Sequence, residues 1–248
     1  MKIHFLGTNG WFDTKTGDTT CILIDAKEAY IILDAGNGIY KIDKYIKNSK
    51  KPVYLFLSHF HLDHIIGLHA LEKFRFKQGL HIYSQKGSKR LLNLIIAKPF
   101  SMPFAKLPFK TFLHEIGEGA FRKPLPFKTK YLLHASKCLG YRFKIEGKVI
   151  TFCTDTGYCK GLLELARGAD LLITECAYAS GQVVKSWPHL NPESATQAAK
   201  EAGVKKLALV HFDAGIYDNF KKREFALKTA TTIFKNTIKV KDGSQIVI

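Results

Sequence analysis

The sequence is poor in the features that mark secreted or membrane-embedded proteins. It has only five cysteines, an odd number with no CxxC pair, so neither a disulfide framework nor a four-cysteine zinc knuckle is indicated. The longest stretch without Asp, Glu, Lys or Arg is the eleven residues 52–62, and about 20 apolar residues are needed to span a bilayer. The amino-terminal residues turn polar too early for a signal peptide. These absences predict no membrane segment and a cytoplasmic location.

Acidic residues are also scarce, with 21 Asp and Glu against 38 Lys and Arg, for a net charge of +17. Such a charge is typical of proteins that bind anionic substrates or nucleic acids. Arginine is rare among the basic residues, at 6 against 32 lysines, and the longest basic run is only Lys221–Arg223. Nucleic-acid readers concentrate arginine where they contact phosphates and bases. We interpret most lysines as solvated surface that favours an anionic substrate.

No Gly/Ser-rich linker and no internal repeat divides the chain, and 248 residues are enough for one sizeable core. Strand and helix patterns alternate from end to end, which predicts a single α/β domain over residues 1–248. Helices are predicted at Gly38–Ile46, His64–Phe74 and Pro192–Ala202, the last with Asn191 as its N-cap. The strands that carry the argument below are predicted at Tyr30–Asp34, Val53–Leu57, Tyr131–His134, Val149–Thr154, Leu171–Glu175 and Leu207–His211.

One segment departs from this alternation. Residues 99–127 hold five of the eight prolines and six of the eighteen phenylalanines. Proline at this density excludes a regular helix or a central strand, and the segment is too apolar for a linker. It is predicted to be a loop excursion that packs on itself, over a site or against a partner, or that simply covers the core.

The residues best suited to chemistry are in the stretch Ser58–His64, which contains His59, His61, Asp63 and His64. It follows an apolar strand pattern and precedes a helix pattern, so it is predicted to be a loop at the carboxyl end of a strand. Three imidazoles and a carboxylate so close together are costly to bury for packing alone. Neutral imidazole and carboxylate are ligands of zinc and other first-row metals.

Three later residues end predicted strands in the same way: His134, Asp155 and His211. Side chains at one edge of a sheet can converge although they are distant in sequence. Taken singly, a strand-end His or Asp is more often a structural or turn residue. Together with the first cluster, and in this order, they predict a metal centre.

This ordered set resembles the signature of the metallo-β-lactamase superfamily, and the resemblance covers essentially the whole chain. Within the superfamily it is most similar to the ribonuclease Z and cyclic phosphodiesterase branch, through the Leu6-Gly7-Thr8 opening, the Leu139–Phe143 stretch after His134, and His189 before an Ala-rich helix. The resemblance implies a four-layer αβ/βα sandwich in which two mixed β-sheets are flanked by helices. It also makes a homodimer plausible.

The resemblance further implies two divalent metal ions, with Zn²⁺ as the first choice and Mn²⁺ or Fe²⁺ as alternatives. His59, His61 and His134 would bind one ion, Asp63, His64 and His211 the other, and Asp155 would bridge them. Asp63 would also orient the attacking water or accept its proton.

His189 and Glu175 are further candidates. The family places a His at the position of His189 to contact the substrate phosphate, which implies a catalytic role; a plain surface-loop His is the alternative. Leu190-Asn191 stands here in place of the branch's usual small hydroxyl pair. Glu175 ends a predicted strand, where it could hold His189 or a metal ligand, or equally form a salt bridge.

Two departures from the resemblance bear on the substrate. Ribonuclease Z carries a long arm that grips tRNA between the positions of His134 and Asp155, and here only a short hairpin pattern, Leu139–Lys148, lies between them. The family's Arg after the last metal His is absent too. We therefore expect a small or nucleotide-like phosphodiester, bound in a pocket that is walled partly by Phe100, Phe104 and Phe109 of the Pro/Phe-rich segment.

Three alternatives stay open at this stage. The chain could be a ribonuclease Z-type tRNA 3′-processing endonuclease, with RNA as its partner. It could hydrolyse another ester, such as a lactone or a thioester, on the same metal centre. It could be a basic RNA-binding protein with a vestigial site, although an intact ligand set argues against that.

Overall fold

The computed structural model describes all 248 residues, and its strands alternate with short helices along the chain. The strands are β1 (Lys2–Gly7), β2 (Asn9–Gly10), β3 (Cys21–Asp25), β4 (Tyr30–Leu33), β5 (Val53–Phe56), β6 (Leu80–Gln85), β7 (Thr111–Ile116), β8 (Gly119–Phe121), β9 (Phe127–Tyr131), β10 (Leu139–Ile145), β11 (Lys148–Cys153), β12 (Leu171–Glu175), β13 (Leu207–Val210), β14 (Phe212–Asp213), β15 (Thr237–Ile238) and β16 (Gln245–Val247). The α-helices are α1 (Leu62–Ile65), α2 (Ser88–Ile95), α3 (Lys160–Ala166), α4 (Pro192–Glu201) and α5 (Phe220–Ile233). Three 3₁₀ helices cover Asn37–Lys44, Ile66–Lys73 and Phe104–Lys106.

The strands form two seven-stranded mixed sheets, in the orders β16-β1-β3-β4-β5-β6-β7 and β15-β13-β12-β11-β10-β9-β8. Strands β4 to β7 are mutually parallel, as are β11, β12, β13 and β15. The carboxyl ends of these parallel strands therefore meet at one edge of each sheet, which is where α/β sheets place their ligand sites.

Side-chain alternation along the strands explains the layering. In β3, Ile22 and Ile24 pack into a core that joins the two sheets, whereas Leu23 points to the opposite face, under the first set of helices. In β12, Ile173 joins the inter-sheet core and Leu172 packs against α3, α4 and α5. Two sheets with a shared core and helices outside give the four layers predicted from the sequence, and that fold class is confirmed.

The predicted helix His64–Phe74 is only one α-helical turn followed by a 3₁₀ helix. Gly67 donates its backbone N–H to Ala35 O instead of continuing the helix. A Cβ on Gly67 would lie 2.2 Å from Gly36 O, so this close backbone contact requires glycine. The predicted helix Gly38–Ile46 is likewise a 3₁₀ helix, Asn37–Lys44.

The segment 99–127, predicted as a loop excursion, instead provides an edge strand to each sheet. Strand β7 completes the first sheet and β8 completes the second. Both strands lie in the proline-free stretch between Pro108 and Pro124, so the local sequence permits strand pairing even though the whole segment is rich in proline. No helix of the protein is both long enough and apolar enough to cross a bilayer.

Candidate metal centre and active-site cavity

The loop that carries His59–His64 is held by a buried carboxylate from the neighbouring strand. Asp34 follows β4; its Oδ1 accepts the backbone N–H of Ser58 at 2.7 Å and its Oδ2 accepts the Ser58 hydroxyl at 2.8 Å. The same Oδ2 lies 2.7 Å from Nδ1 of His64, and the Ser58 hydroxyl lies 2.9 Å from Nδ1 of His59. Asp34 thus orients both rings so that their Nε2 atoms face the centre.

Four of the predicted ligands form a first group: His59, His61, His134 and Asp155. Nε2 of His59 and Nε2 of His134 each lie 3.8 Å from Oδ1 of Asp155. Nε2 of His134 lies 3.2 Å from Nδ1 of His61. Three nitrogens and one carboxylate oxygen therefore point at a common position.

The remaining predicted ligands, Asp63, His64 and His211, form a second group around the other oxygen of Asp155. Oδ2 of Asp155 lies 3.0 Å from Nε2 of His64 and 3.3 Å from Nε2 of His211. Oδ2 of Asp63 lies 3.4 Å from Nε2 of His64 and 3.2 Å from Nε2 of His211. Asp155 thus presents one oxygen to each group, as a bridging carboxylate does.

The donor set fits two first-row metal ions. Ligand atoms about 2.1 Å from a tetrahedral ion lie about 3.4 Å from one another, close to the spacings measured within each group. The Nε2 atoms of His59 and His64 are buried, and no neighbouring group, the nearby carboxylates included, meets them with hydrogen-bond geometry. A buried imidazole nitrogen without a partner is costly unless a ligand completes it.

The pKa values of the histidines differ between the two groups of candidate ligands. Burial lowers the pKa of His59 and His61 and lowers the pKa of His134 to about 4, so these rings are neutral at pH 7, the form that binds metals. Burial alone would also lower the pKa of His64 and His211, but the carboxylates of Asp155 and Asp63 raise both values. The second group therefore favours positive charge, which a metal ion would supply.

Several residues of the centre have a left-handed backbone conformation at the carboxyl edge of a sheet. Asp34 and His211 directly follow strands and Asp155 lies two residues after one; their φ values are 57°, 50° and 54°. Such conformations are uncommon for residues other than glycine and cluster at functional sites. Gly10 permits the packing of His211, because a Cβ there would lie 2.5 Å from Cε1 of that ring.

His134 does not end a strand as predicted. Strand β9 ends at Tyr131, and His134 lies in the connection to β10. Leu132 N–H donates to Cys138 O, and Leu139 N–H donates to Ser58 O, each at 2.9 Å. These two bonds close the connection and tie it to the loop before His59, which brings His134 to the first group.

His189 lies beside the centre and is held by Glu175. Nδ1 of His189 lies 2.8 Å from Oε1 of Glu175, whose other oxygen accepts the Leu190 N–H at 3.1 Å. Burial alone would lower the pKa of His189, but the fully buried carboxylate of Glu175 raises it to about 9. His189, Asp155 and His211 also have donor atoms within 4.8 Å of one another. Two residues beyond His189, the side chain of Asn191 caps α4.

A cavity of about 370 Å³ opens onto the centre. Its polar lining includes Asp63, Asp155, His189 and His211, and its aromatic lining includes Trp11, Tyr178 and Trp187. The expectation that the Pro/Phe-rich segment would wall this pocket is wrong, since no residue of 99–127 lines it. Phe104 and Phe109 are instead buried beneath the helices of the first sheet, and Phe100 is on the surface.

The model of the β-lactamase superfamily domain matches residues 29–212, a range that contains every candidate ligand. The chain belongs to this superfamily. It is 27% identical to YhfI of Bacillus subtilis (strain 168), a probable metallo-hydrolase, over 247 residues that cover 97% of this chain and 96% of YhfI. It is 25% identical to ribonuclease Z of Bacillus velezensis over 299 residues, covering 96% of each protein.

Solved structures of other superfamily members share the fold. The crystal structure of B. subtilis YhfI matches with a TM-score of 0.82 at 23% identity, covering 99% of this chain and 98% of that one. A diphosphatase of the PhnP family matches with a TM-score of 0.76 at 15% identity, covering 100% and 97%. As a metallo-hydrolase of this superfamily, the chain is expected to use divalent metal ions.

Asp34 is one of the residues near the centre that the sequence patterns do not single out. It too ends a predicted strand, but a lone Asp before Ala-Gly has the same local pattern as an ordinary turn residue.

We expect Asp34→Asn to weaken zinc binding about 10- to 100-fold, because the carboxylate that orients the His64 ring loses its charge. Zinc titration of the purified protein measures this. The matched control is Asp25→Asn, the same exchange in the same sheet, at a partly buried ion pair with Lys51 away from the metal centre. Equal zinc affinity for Asp34→Asn and the wild type would contradict the role given to Asp34.

Proposed function

We propose that the protein is a binuclear metal-dependent phosphodiesterase that cleaves a small or nucleotide-like phosphodiester. The observation that carries this is the arrangement of Asp155, whose two oxygens face two separate groups of ligands. In this proposal His59, His61 and His134 hold one ion, Asp63, His64 and His211 the other, and Zn²⁺ is the first choice. Bound divalent ions lower the pKa of a coordinated water toward 7 and stabilise negative charge on substrate oxygens.

The protein's own residues would perform the proton transfers. Asp63 is fixed by the Trp11 N–H, which donates to its Oδ2 at 2.8 Å, and is suited to orient the attacking water and accept its proton. His189 lines the cavity with Nδ1 committed to Glu175, so its Nε2 is available to contact a phosphate oxygen and to protonate the leaving group. Glu175 keeps that ring oriented and protonated.

Size and charge support a small anionic substrate. A cavity of about 370 Å³ is at the small end of ligand pockets, and the net charge of +17 attracts anions. Strands β10 and β11 are joined by the two-residue turn Glu146-Gly147, so no arm projects between His134 and Asp155. The alignment with ribonuclease Z runs over 299 positions, more than the length of this chain, whereas that with YhfI runs over 247.

The similarity to ribonuclease Z keeps tRNA 3′-end processing as the second candidate function. A basic surface would bind RNA non-specifically, and such binding weakens steeply as salt rises. Specific cleavage of pre-tRNA at physiological salt would need contacts that persist when salt screens this non-specific electrostatic attraction.

The test compares the zinc-loaded protein on bis-p-nitrophenyl phosphate, 2′,3′-cyclic nucleotides, pre-tRNA and a panel of lactones at about 0.15 M salt. We expect the small phosphodiesters to have the highest kcat/KM. Efficient, site-specific cleavage of pre-tRNA would favour the tRNA-processing function over the proposed one. Turnover confined to lactones would refute a phosphodiesterase function altogether. Manganese- and iron-loaded protein, assayed in parallel, identifies the metal that supports the activity best.

A further inference from the structure

Both tryptophans of the chain lie at the mouth of the active-site cavity. The sequence contains only two, Trp11 and Trp187, and both line this cavity. Their ring centroids are 6.2 Å apart and their planes are inclined by 38°. The two side chains are 55% and 38% exposed, which is unusual for residues whose burial would be strongly favourable. Exposed aromatic surface at a cavity mouth is a feature of ligand-binding sites.

The position of Trp11 is fixed relative to the metal centre. Its backbone has a left-handed φ of 73°, and its N–H donates to Oδ2 of Asp63 at 2.8 Å. The loop around it is held by Arg223, a buried residue of α5 that donates to the hydroxyls of Thr8 and Thr16 at 3.0 and 3.1 Å. The backbone of Trp11 is therefore fixed next to Asp63, which sets the direction in which its side chain leaves the main chain.

Trp187 is tied to the other half of the centre. Its ring lies parallel to that of His61, with centroids 5.6 Å apart and planes 9° apart, and edge-on to the ring of His134. The Tyr178 hydroxyl donates to its backbone carbonyl. One tryptophan thus adjoins Asp63 and the other adjoins His61, so a group that contacts either ring lies next to the reacting phosphate.

The geometry points to an aromatic recognition site, formed by Trp11 and Trp187, that binds a flat aromatic ring of the substrate, such as a nucleobase, next to the scissile phosphate. This inference rests on the proposed function and specifies its substrate class. Stacked rings have centroids about 4.5–7 Å apart, so no third ring fits between two tryptophans at 6.2 Å. The ring instead stacks on the exposed face of Trp11, the more accessible of the two.

A cationic headgroup is the other ligand that tryptophan faces attract. The charge distribution disfavours it, because the protein carries a net charge of +17 and Lys185 is two residues from Trp187 in the same loop. A neutral ring attached to an anionic phosphate suits these surroundings better.

The test compares AMP with ribose 5-phosphate, which share the sugar and the phosphate and differ only in the base. In calorimetric titrations of the zinc-loaded protein, we expect AMP to bind about tenfold or more tightly, since stacking on an aromatic side chain stabilises a bound base. Trp11→Leu should abolish that preference while keeping the wild-type metal content, and Trp11→Phe should retain most of it. Phe12→Leu, at an adjacent and equally exposed aromatic outside the cavity, is the matched control and should behave as the wild type.

Tryptophan fluorescence gives an independent readout, because all of the emission comes from these two residues. AMP should quench it strongly and ribose 5-phosphate weakly. Equal affinity for the two ligands, or an unchanged preference in Trp11→Leu, would overturn the inference, as would tighter binding of phosphocholine than of AMP. Hydrolysis of phosphodiesters without a preference for AMP would refute this site alone. A preference for AMP without any phosphodiester hydrolysis would refute the proposed function and leave the site standing.

Discussion

Replacing Asp155 with alanine is expected to cause the largest loss, about 10³-fold or more in turnover of bis-p-nitrophenyl phosphate, because this carboxylate serves both halves of the centre. Its Oδ1 faces His59 and His134, and its Oδ2 faces His64 and His211. Without it, each group has only three ligands, and nothing holds the two groups at a fixed separation. Metal analysis should fall from two ions per chain to one or none.

Thermal unfolding provides a second measurement of the same change. Zinc that binds only the folded protein raises its melting temperature by mass action, so the wild type should melt higher as zinc is added. Asp155→Ala should respond weakly or not at all. The matched control is Asp170→Ala, which removes a carboxylate at the opposite end of the same sheet, where it accepts the Val149 N–H and pairs with Lys205. Two bound ions and a normal response to zinc in Asp155→Ala would show that Asp155 is not the bridge.

Most metal-ligand candidates could be predicted from sequence because they are His or Asp residues located where an apolar strand pattern ends. Four lie in one stretch, Ser58–His64, and Asp155 and His211 directly follow apolar strand patterns. Within each sheet, parallel strands place their carboxyl ends at one edge, and the packing of the two sheets brings those two edges together. His134 is different, because it lies in a loop. That loop is held at the centre by the hydrogen bond from Leu139 N–H to Ser58 O, which no local sequence pattern predicts.

The aromatic walls could not be predicted in this way. Trp11 and Trp187 are far apart in sequence and both lie in irregular segments, which have no periodicity to indicate the direction of a side chain. The phenylalanines of segment 99–127 suggest a binding wall, so the sequence predicts that this segment lines the pocket. The structure contradicts this prediction, because Phe104 and Phe109 are buried in the core beneath the helices of the first sheet. Composition predicts that aromatic residues will be in apolar surroundings, but only the fold determines whether a given residue lies in the core or lines a cavity.

His189→Ala is expected to lower kcat on phosphodiesters by about 10²- to 10⁴-fold, the usual contribution of a general acid–base group, while both metal ions remain bound. The ring lines the cavity and is held by Glu175 at 2.8 Å, so it is oriented toward a bound phosphate. Glu175→Gln should have a smaller effect in the same direction, because it removes the charge that keeps His189 protonated but leaves the ring in place. The matched control is His69→Ala, which removes an exposed imidazole that hydrogen-bonds to Ile66 O, outside the cavity.

The metal content of His189→Ala separates two roles that the geometry brings close together. The donor atoms of His189 lie within 4.8 Å of those of Asp155 and His211, so the ring is near enough to compete for the second ion. Its Nδ1 is bound to a buried carboxylate, however, and each group is already complete without it. We therefore expect two ions per chain and a defect confined to kcat. Loss of one ion would make His189 a ligand, and unchanged kinetics on every phosphodiester tested would remove it from the site.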